Sequence, residues 1–256
     1  MSSNVVRLAQ RSFSEREGNA VRHALDWVYR FGLSERGILE HALFPEIRGG
    51  FVRDMLARGW LRELETGEAD PRKILVLSDD GYGEVGENYP FPLPSPEMAM
   101  RRWTGNGLRK RLHLQIATAD NLRGGMFEGF RTPRMPDFGD IGDARMDLEW
   151  LLPDGMVYAV EVDLDGRAGG ELERFAARII NRSERESGKY HRTVIILGCL
   201  AALGRYREVF RKGARVPVWE GEGENRSRTG FRIVPDLAER VIFMMMENMR
   251  GPLRWR

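Results

Sequence analysis

Four carboxylates, Asp147, Glu149, Glu161 and Asp163, stand in two apolar runs, ARMDLEWLL and MVYAVEVDL, which are separated by Pro153-Asp154-Gly155. A three-residue turn with Gly155 in the left-handed position pairs Leu152 with Met156. Asp147 then faces Glu161, Arg145 faces Asp163, and opposed residues share a sheet face. One face becomes wholly apolar (Met146, Leu148, Trp150, Leu152, Met156, Tyr158, Val160, Val162), and the other gathers the carboxylates. A two-residue turn would put Asp147 and Glu161 on opposite faces, because a slip of one residue flips every side chain. The clean apolar face favours the three-residue register.

Crowded carboxylates repel and need cations. An Asp–Glu pair without Cys or clustered His is a hard oxygen site, suited to Mg²⁺ or Mn²⁺ rather than Zn²⁺. Asp147 and Glu161 are the expected metal ligands. Such an ion activates water and stabilises charge at a phosphodiester. The plainer alternative is a solvated sheet face whose charge is balanced by Arg145 and Arg167.

The elements that must position this face are legible as patterns. Apolar residues from Ala20 to Phe31 recur at helical spacing and stop at Gly32. Ser34 is expected to cap a second helix, SERGILEHALF. A third, EIRGGFVRDMLARG, should stop at Gly59. WLREL and ILVLSDDGYGEV, joined by a turn-rich segment, read as a hairpin. Three helices and a hairpin are the order of a winged helix-turn-helix. Residues 1–13 read as a tail, 14–85 as the winged-helix domain and 86–97 as a proline-rich linker. Residues 98–256 read as an α/β domain with a mixed sheet. Within it, 98–122 is expected to be helical in its second part and 169–186 to be a helix, with 124–142 a Gly-rich loop and TVIILGCL a strand. Residues 203–213 form a further helix, and VPVWEGE and FRIV short strands. PDLAERVIFMMMENM closes the chain as a helix.

The chain has 256 residues, 30% of them charged, and a net charge of +2. That balance hides segregation: residues 97–123 carry +4 and 200–256 carry +5, against −3 over 1–96 and −4 over 124–199. Basic flanks around an acidic centre suit a protein that holds an anionic polymer. Chance segregation on a solvated surface is the alternative. The single cysteine, Cys199, excludes an internal disulfide and fits a reducing compartment. No apolar signal segment opens the chain, and the Val241–Met246 run is far shorter than the roughly 20 residues of a membrane span. A cytoplasmic protein without membrane insertion is expected.

The segment from Asp147 through Glu161 and Asp163 to Arg167 resembles the core of the PD-(D/E)XK nuclease-like superfamily. A winged helix followed by this domain resembles the replication-relaxation and MOBC-type mobilisation relaxase proteins of plasmids and integrative elements. The resemblance implies a restriction-endonuclease-like mixed sheet and a metal-dependent DNA-nicking activity. It also implies a site of His113, Glu128, Asp147, Glu161, Asp163 and Arg167, and conjugation or relaxosome proteins as partners. The chain departs from the family pattern at Met146, where the family has Pro, at Asp163, and at Arg167, which stands in place of a lysine. Arginine can hold phosphate but cannot act as a base.

DNA, double-stranded and also single-stranded, is the expected partner. Arg48, Arg53 and Arg58 on the third helix, Lys73 in the hairpin, and Arg109, Lys110 and Arg111 are the expected contacts. Trp103 could stack on an unpaired base or anchor the linker. Two other readings stay open. One is a non-catalytic winged-helix regulator or relaxosome accessory protein with a degenerate nuclease fold. The other is an interaction module that uses the C-terminal Met-rich helix. Neither GxGxxG nor GxxxxGK[ST] occurs, so no nucleotide site is expected.

Overall fold

A computed structural model describes residues 19–44, 50–69, 71–86, 105–135, 146–185, 188–220 and 227–246. It is a mixed α/β protein. The tail, the linker beyond Gly86, Arg48, Trp103 and Arg145 lie outside the described residues. The chain divides into two compact units between Gly124 and Gly125. The helix at 106–123, which the sequence assigns to the second domain, thus belongs to the first unit.

The first unit begins with α1 over 19–31, where Ala24, Trp27, Val28 and Phe31 are buried as their spacing predicts. A π-helical segment follows at Ile38–Leu43. Ser34 does not cap it. Its backbone instead forms an isolated antiparallel bridge with Leu75, and its hydroxyl donates to Gln115 Oε1 at 2.7 Å. Next come α2, Phe51–Ala57, and a hairpin of β1, Leu61–Glu65, and β2, Lys73–Leu77, with Leu61 opposite Leu77.

Beyond Leu77 the expected strand is replaced by α3, Asp79–Gly86. The reason is local. Ser78 Oγ accepts the Gly81 N–H at 3.0 Å, an N-cap, and Asp79 and Asp80 favour the positive end of a helix. Gly81 lies against the Trp60 carbonyl, where a Cβ would come within 1.9 Å of the oxygen. Only glycine permits that approach.

The long helix α4, Asn106–Arg123, joins the first unit through one buried amide. Gln115 accepts from Trp27 Nε1 at 2.8 Å and donates to the Leu33 carbonyl at 2.9 Å. Arg111 donates to the Phe31 carbonyl, and Arg123 to that of Ala42. Buried polar groups must be satisfied, and here that requirement ties the helix to the segment around α1.

The second unit is built on a five-stranded mixed sheet in the order β3-β4-β5-β6-β9. Its strands are β3, Gly129–Arg131, β4, Leu148–Leu151, and β5, Val157–Asp163, then β6, Arg192–Leu197, and β9, Val241–Met245. β3, β4 and β5 run antiparallel. β6 is parallel to β5 after a crossover through α5, Gly169–Arg185, and β9 is parallel to β6. α6, Leu200–Val209, lies between β6 and a two-stranded ribbon of β7, Arg215–Glu220, and β8, Ser227–Ile233.

The central hairpin has the expected register: Leu148 opposes Val160, Trp150 opposes Tyr158, and Leu152 N–H donates to Met156 O. Gly155, at φ +79°, supplies the left-handed turn residue. Two expectations fail. The Gly-rich stretch contains β3, too short and too glycine-rich to betray itself. The closing helix is instead β9, because Val-Ile-Phe fits beside β6 and turns Phe243 and Met245 toward the core of α5 and α6. A short apolar run alone does not separate a buried strand from a helix. The Met-rich interaction helix disappears with it.

Candidate functional site: a buried acidic face clamped by arginines

Side chains alternate along β5, so Glu161 and Asp163 share a face with Ile195 and Leu197 of β6, their ladder partners. Ile195 and Leu197 pack in one cluster with Leu172, Phe175 and Ile179 of α5 and Ala202 and Tyr206 of α6. The carboxylate face is therefore covered by both helices. Glu149, Glu161 and Asp163 are buried, which rules out a solvated acidic face.

Charges buried at this depth need partners, and each has them. Glu161 Oε2 accepts from Arg178 at 3.0 Å and Oε1 from Arg182 at 2.9 Å, and the Arg182 side chain is 0% exposed. Arg178 and Arg182 are one helical turn apart on α5, which aims both guanidiniums at one carboxylate. Glu149 Oε1 accepts from Tyr190 Oη at 2.5 Å and meets Lys189 at 3.4 Å, while Oε2 meets Arg131 at 3.4 Å.

Asp163 Oδ2 accepts the Tyr206 hydroxyl and the Arg167 N–H, the latter at 2.7 Å. The Arg167 guanidinium lies 3.6 Å from the same oxygen and 4.4 Å above the Phe175 ring. Burial would lower the pKa of Arg167, but the hydrogen bond with Tyr206 and the charges of Asp163 and Glu161 outweigh it and raise the value. Burial, followed by the hydrogen bond to Asp163, pushes the Tyr206 phenol well above its ordinary 10.0. Both groups hold their protons throughout the neutral range.

Asp147 stands one residue before β4. Its N–H donates to Val160 O at 3.0 Å, and its Oδ2 accepts the Val162 N–H at 2.8 Å. Its carboxylate therefore braces the hairpin backbone. Among the described residues, no three His, Cys, Asp or Glu side chains come together as a metal-holding group. Both Glu161 oxygens accept from guanidiniums and one Asp147 oxygen accepts from an amide. In this arrangement the pair does not fit Mg²⁺ or Mn²⁺.

His113 and Glu128 do not join the acidic face. His113 is buried on α4 in the first unit, where Nδ1 lies 2.7 Å from the Arg109 carbonyl. A carbonyl only accepts, so the proton sits on Nδ1. Glu128 is exposed, and its N–H extends the β3–β4 ladder to Leu151 O.

Of the expected DNA contacts, Arg53 and Arg58 are exposed on α2 or at its end, where Arg58 lies 4.9 Å over Trp60. Lys73 is tied to Glu63 at 2.9 Å across the hairpin. Arg109, Lys110 and Arg111 are half-buried, and Arg111 is engaged with Phe31.

Sequence reasoning missed Arg178, Arg182, Tyr190 and Tyr206. The Arg174-Arg178-Arg182 spacing of four on an amphipathic helix was the available signal. The tyrosines gave none.

No family model, no curated protein and no solved structure matches the chain. No helix among the described residues is long and apolar enough to cross a membrane.

Proposed function

We propose that the protein binds DNA through a winged-helix first unit and that its second unit is a nuclease-like scaffold which binds rather than cuts. On this reading it is a regulator, or an accessory protein acting on plasmid or mobile-element DNA. Its partners would include conjugation or relaxosome proteins.

The carrying observation is the arrangement of the first unit: α1, a bridge from Ser34 to Leu75, two further helical segments and the β1–β2 hairpin. In a winged helix the segment between the first two helices pairs with the hairpin in this way. The next helix, here α2, presents side chains to the major groove. Arg53 and Arg58 are exposed there.

Support for the nuclease-like scaffold is topological. Three antiparallel strands, a crossover helix and a parallel strand follow one another from β3 to β6, with Asp147 before the second strand and Glu161-Val162-Asp163 on the third. The clamp favours binding over cutting. Arg178 and Arg182 supply at Glu161 the positive charge that a metal supplies in a working nuclease, and Arg167 cannot take a proton.

Fluorescence anisotropy of the full chain with a labelled duplex tests the reading. Binding should be unchanged by EDTA. Arg53→Ala with Arg58→Ala should weaken it about tenfold or more, since each base-reading side chain is worth roughly 1–3 kcal/mol. No binding at low salt, or binding abolished by EDTA, contradicts it.

A further inference from the structure

β7 and β8 pair with each other and with no other described strand. Their inner face is anchored: Val216 is buried, and its partner Arg232 reaches Asn181 and Glu184 of α5, the latter at 2.5 Å. The opposite face pairs Arg215 with Ile233 and Pro217 with Phe231. There Phe231 is 48% and Ile233 59% exposed. The Arg215 guanidinium carbon lies 4.4 Å from the Phe231 ring centroid and that of Arg228 3.9 Å. Two exposed guanidiniums thus sit on one exposed ring.

Their neighbours are paired: Arg232 with Glu184, Lys212 with Asp236. Among the described residues no carboxylate pairs with Arg215 or Arg228. The ring attracts both cations, but the cations repel each other. An anion that reaches both relieves the repulsion. Planar guanidiniums match a phosphodiester bidentately. A twisted two-stranded ribbon also has the dimensions to lie in the major groove. Three exposed apolar side chains, Val218, Phe231 and Ile233, are too few for a protein interface, which covers about 800 Å² on each partner.

We propose that the β7–β8 ribbon is a second nucleic-acid contact, in which Arg215 and Arg228, held by Phe231, grip the phosphate backbone of duplex DNA. This rests on the DNA-binding reading of the first unit and adds to it a contact in the second unit, independent of α2 and of the acidic face.

The test is the salt dependence of affinity for a labelled duplex of random sequence, measured with the full chain. Arg215→Ala with Arg228→Ala should reduce the slope of log affinity against log salt by about 1.8, because each neutralised phosphate contributes about 0.9. The reduction should be equal across duplex sequences. Arg215→Gln with Arg228→Gln should behave alike, which guards against a folding defect in the first pair. Arg215→Lys with Arg228→Lys should keep the slope. A single-stranded probe should lose less, because the ribbon's fit is to a groove. An unchanged slope in both charge-removing pairs, with the parent still binding, overturns the ribbon contact alone. A parent that fails to bind at low salt overturns both readings.

Discussion

The arginines of α5 and those of the β7–β8 ribbon, which is tied to α5 through Arg232, have opposite surroundings. Arg182 is wholly buried and bonded to Glu161. Arg215 and Arg228 are exposed and stacked on a ring, and no carboxylate among the described residues pairs with them. The first arginine satisfies an acidic strand, and the other two face outward. Of the 40 basic residues 36 are arginine, so abundance says little about DNA binding. Location and partner separate a structural arginine from one available to a ligand.

The contrast predicts a graded series of effects on stability, read by denaturant unfolding. Glu161→Ala leaves two buried or half-buried guanidiniums uncompensated and should cost about 3–5 kcal/mol, whereas Arg215→Ala should cost well under about 1 kcal/mol. If the two costs are equal, the inner and outer arginines do not differ as described. Combining Glu161→Leu with Arg182→Met should recover much of the loss, because a buried pair replaced by apolar groups is often neutral.

Gly81→Ala should cost about 1–3 kcal/mol, since its methyl would meet the Trp60 carbonyl. Tyr206→Phe should cost about 1.5–3 kcal/mol, through removal of the hydrogen bond to the Asp163 carboxylate. Its pH signature is more specific. Because folding raises the Tyr206 pKa, the phenol's contribution is complete below the unfolded value near 10.0. It is lost as pH rises beyond that, when the unfolded chain ionises first. The parent should therefore lose stability above about pH 10 more steeply than Tyr206→Phe.

At the small end stands Lys73→Met. The hydrogen bond with Lys73, opposed in part by desolvation, holds the Glu63 carboxyl below its ordinary value. That contribution is present at neutral pH and fades as acid protonates Glu63. The pair is largely exposed, so the effect should be about 0.2–1 kcal/mol and weaker in high salt.

The central hairpin was legible because local chemistry determined it: a Pro-Asp-Gly turn and strict alternation fixed the register. α1, with Gly32 after it, was legible for a similar reason. β9 was not, because a short apolar run carries no period that separates helix from strand, and β6 decides the matter. α3 was misread although Ser78-Asp79-Asp80 is a start signal, since the preceding strand ran straight into it. In the acidic site, the alternation placed Glu161 and Asp163 on one face but could not show what covers that face. Arg178, Arg182 and Tyr206 come from helices packed on it by long-range folding. Asp147 was expected beside Glu161, but it leaves the ladder by one residue and uses its carboxylate on the Val162 amide.

Relaxation of supercoiled plasmid by the purified full chain in Mn²⁺ tests the central claim, that arginines and not a metal satisfy the acidic strand. No nicked circles should form above those seen in EDTA. Nicking that appears with Mn²⁺ and disappears in Glu161→Gln would show that a metal displaces Arg178 and Arg182, and would contradict it.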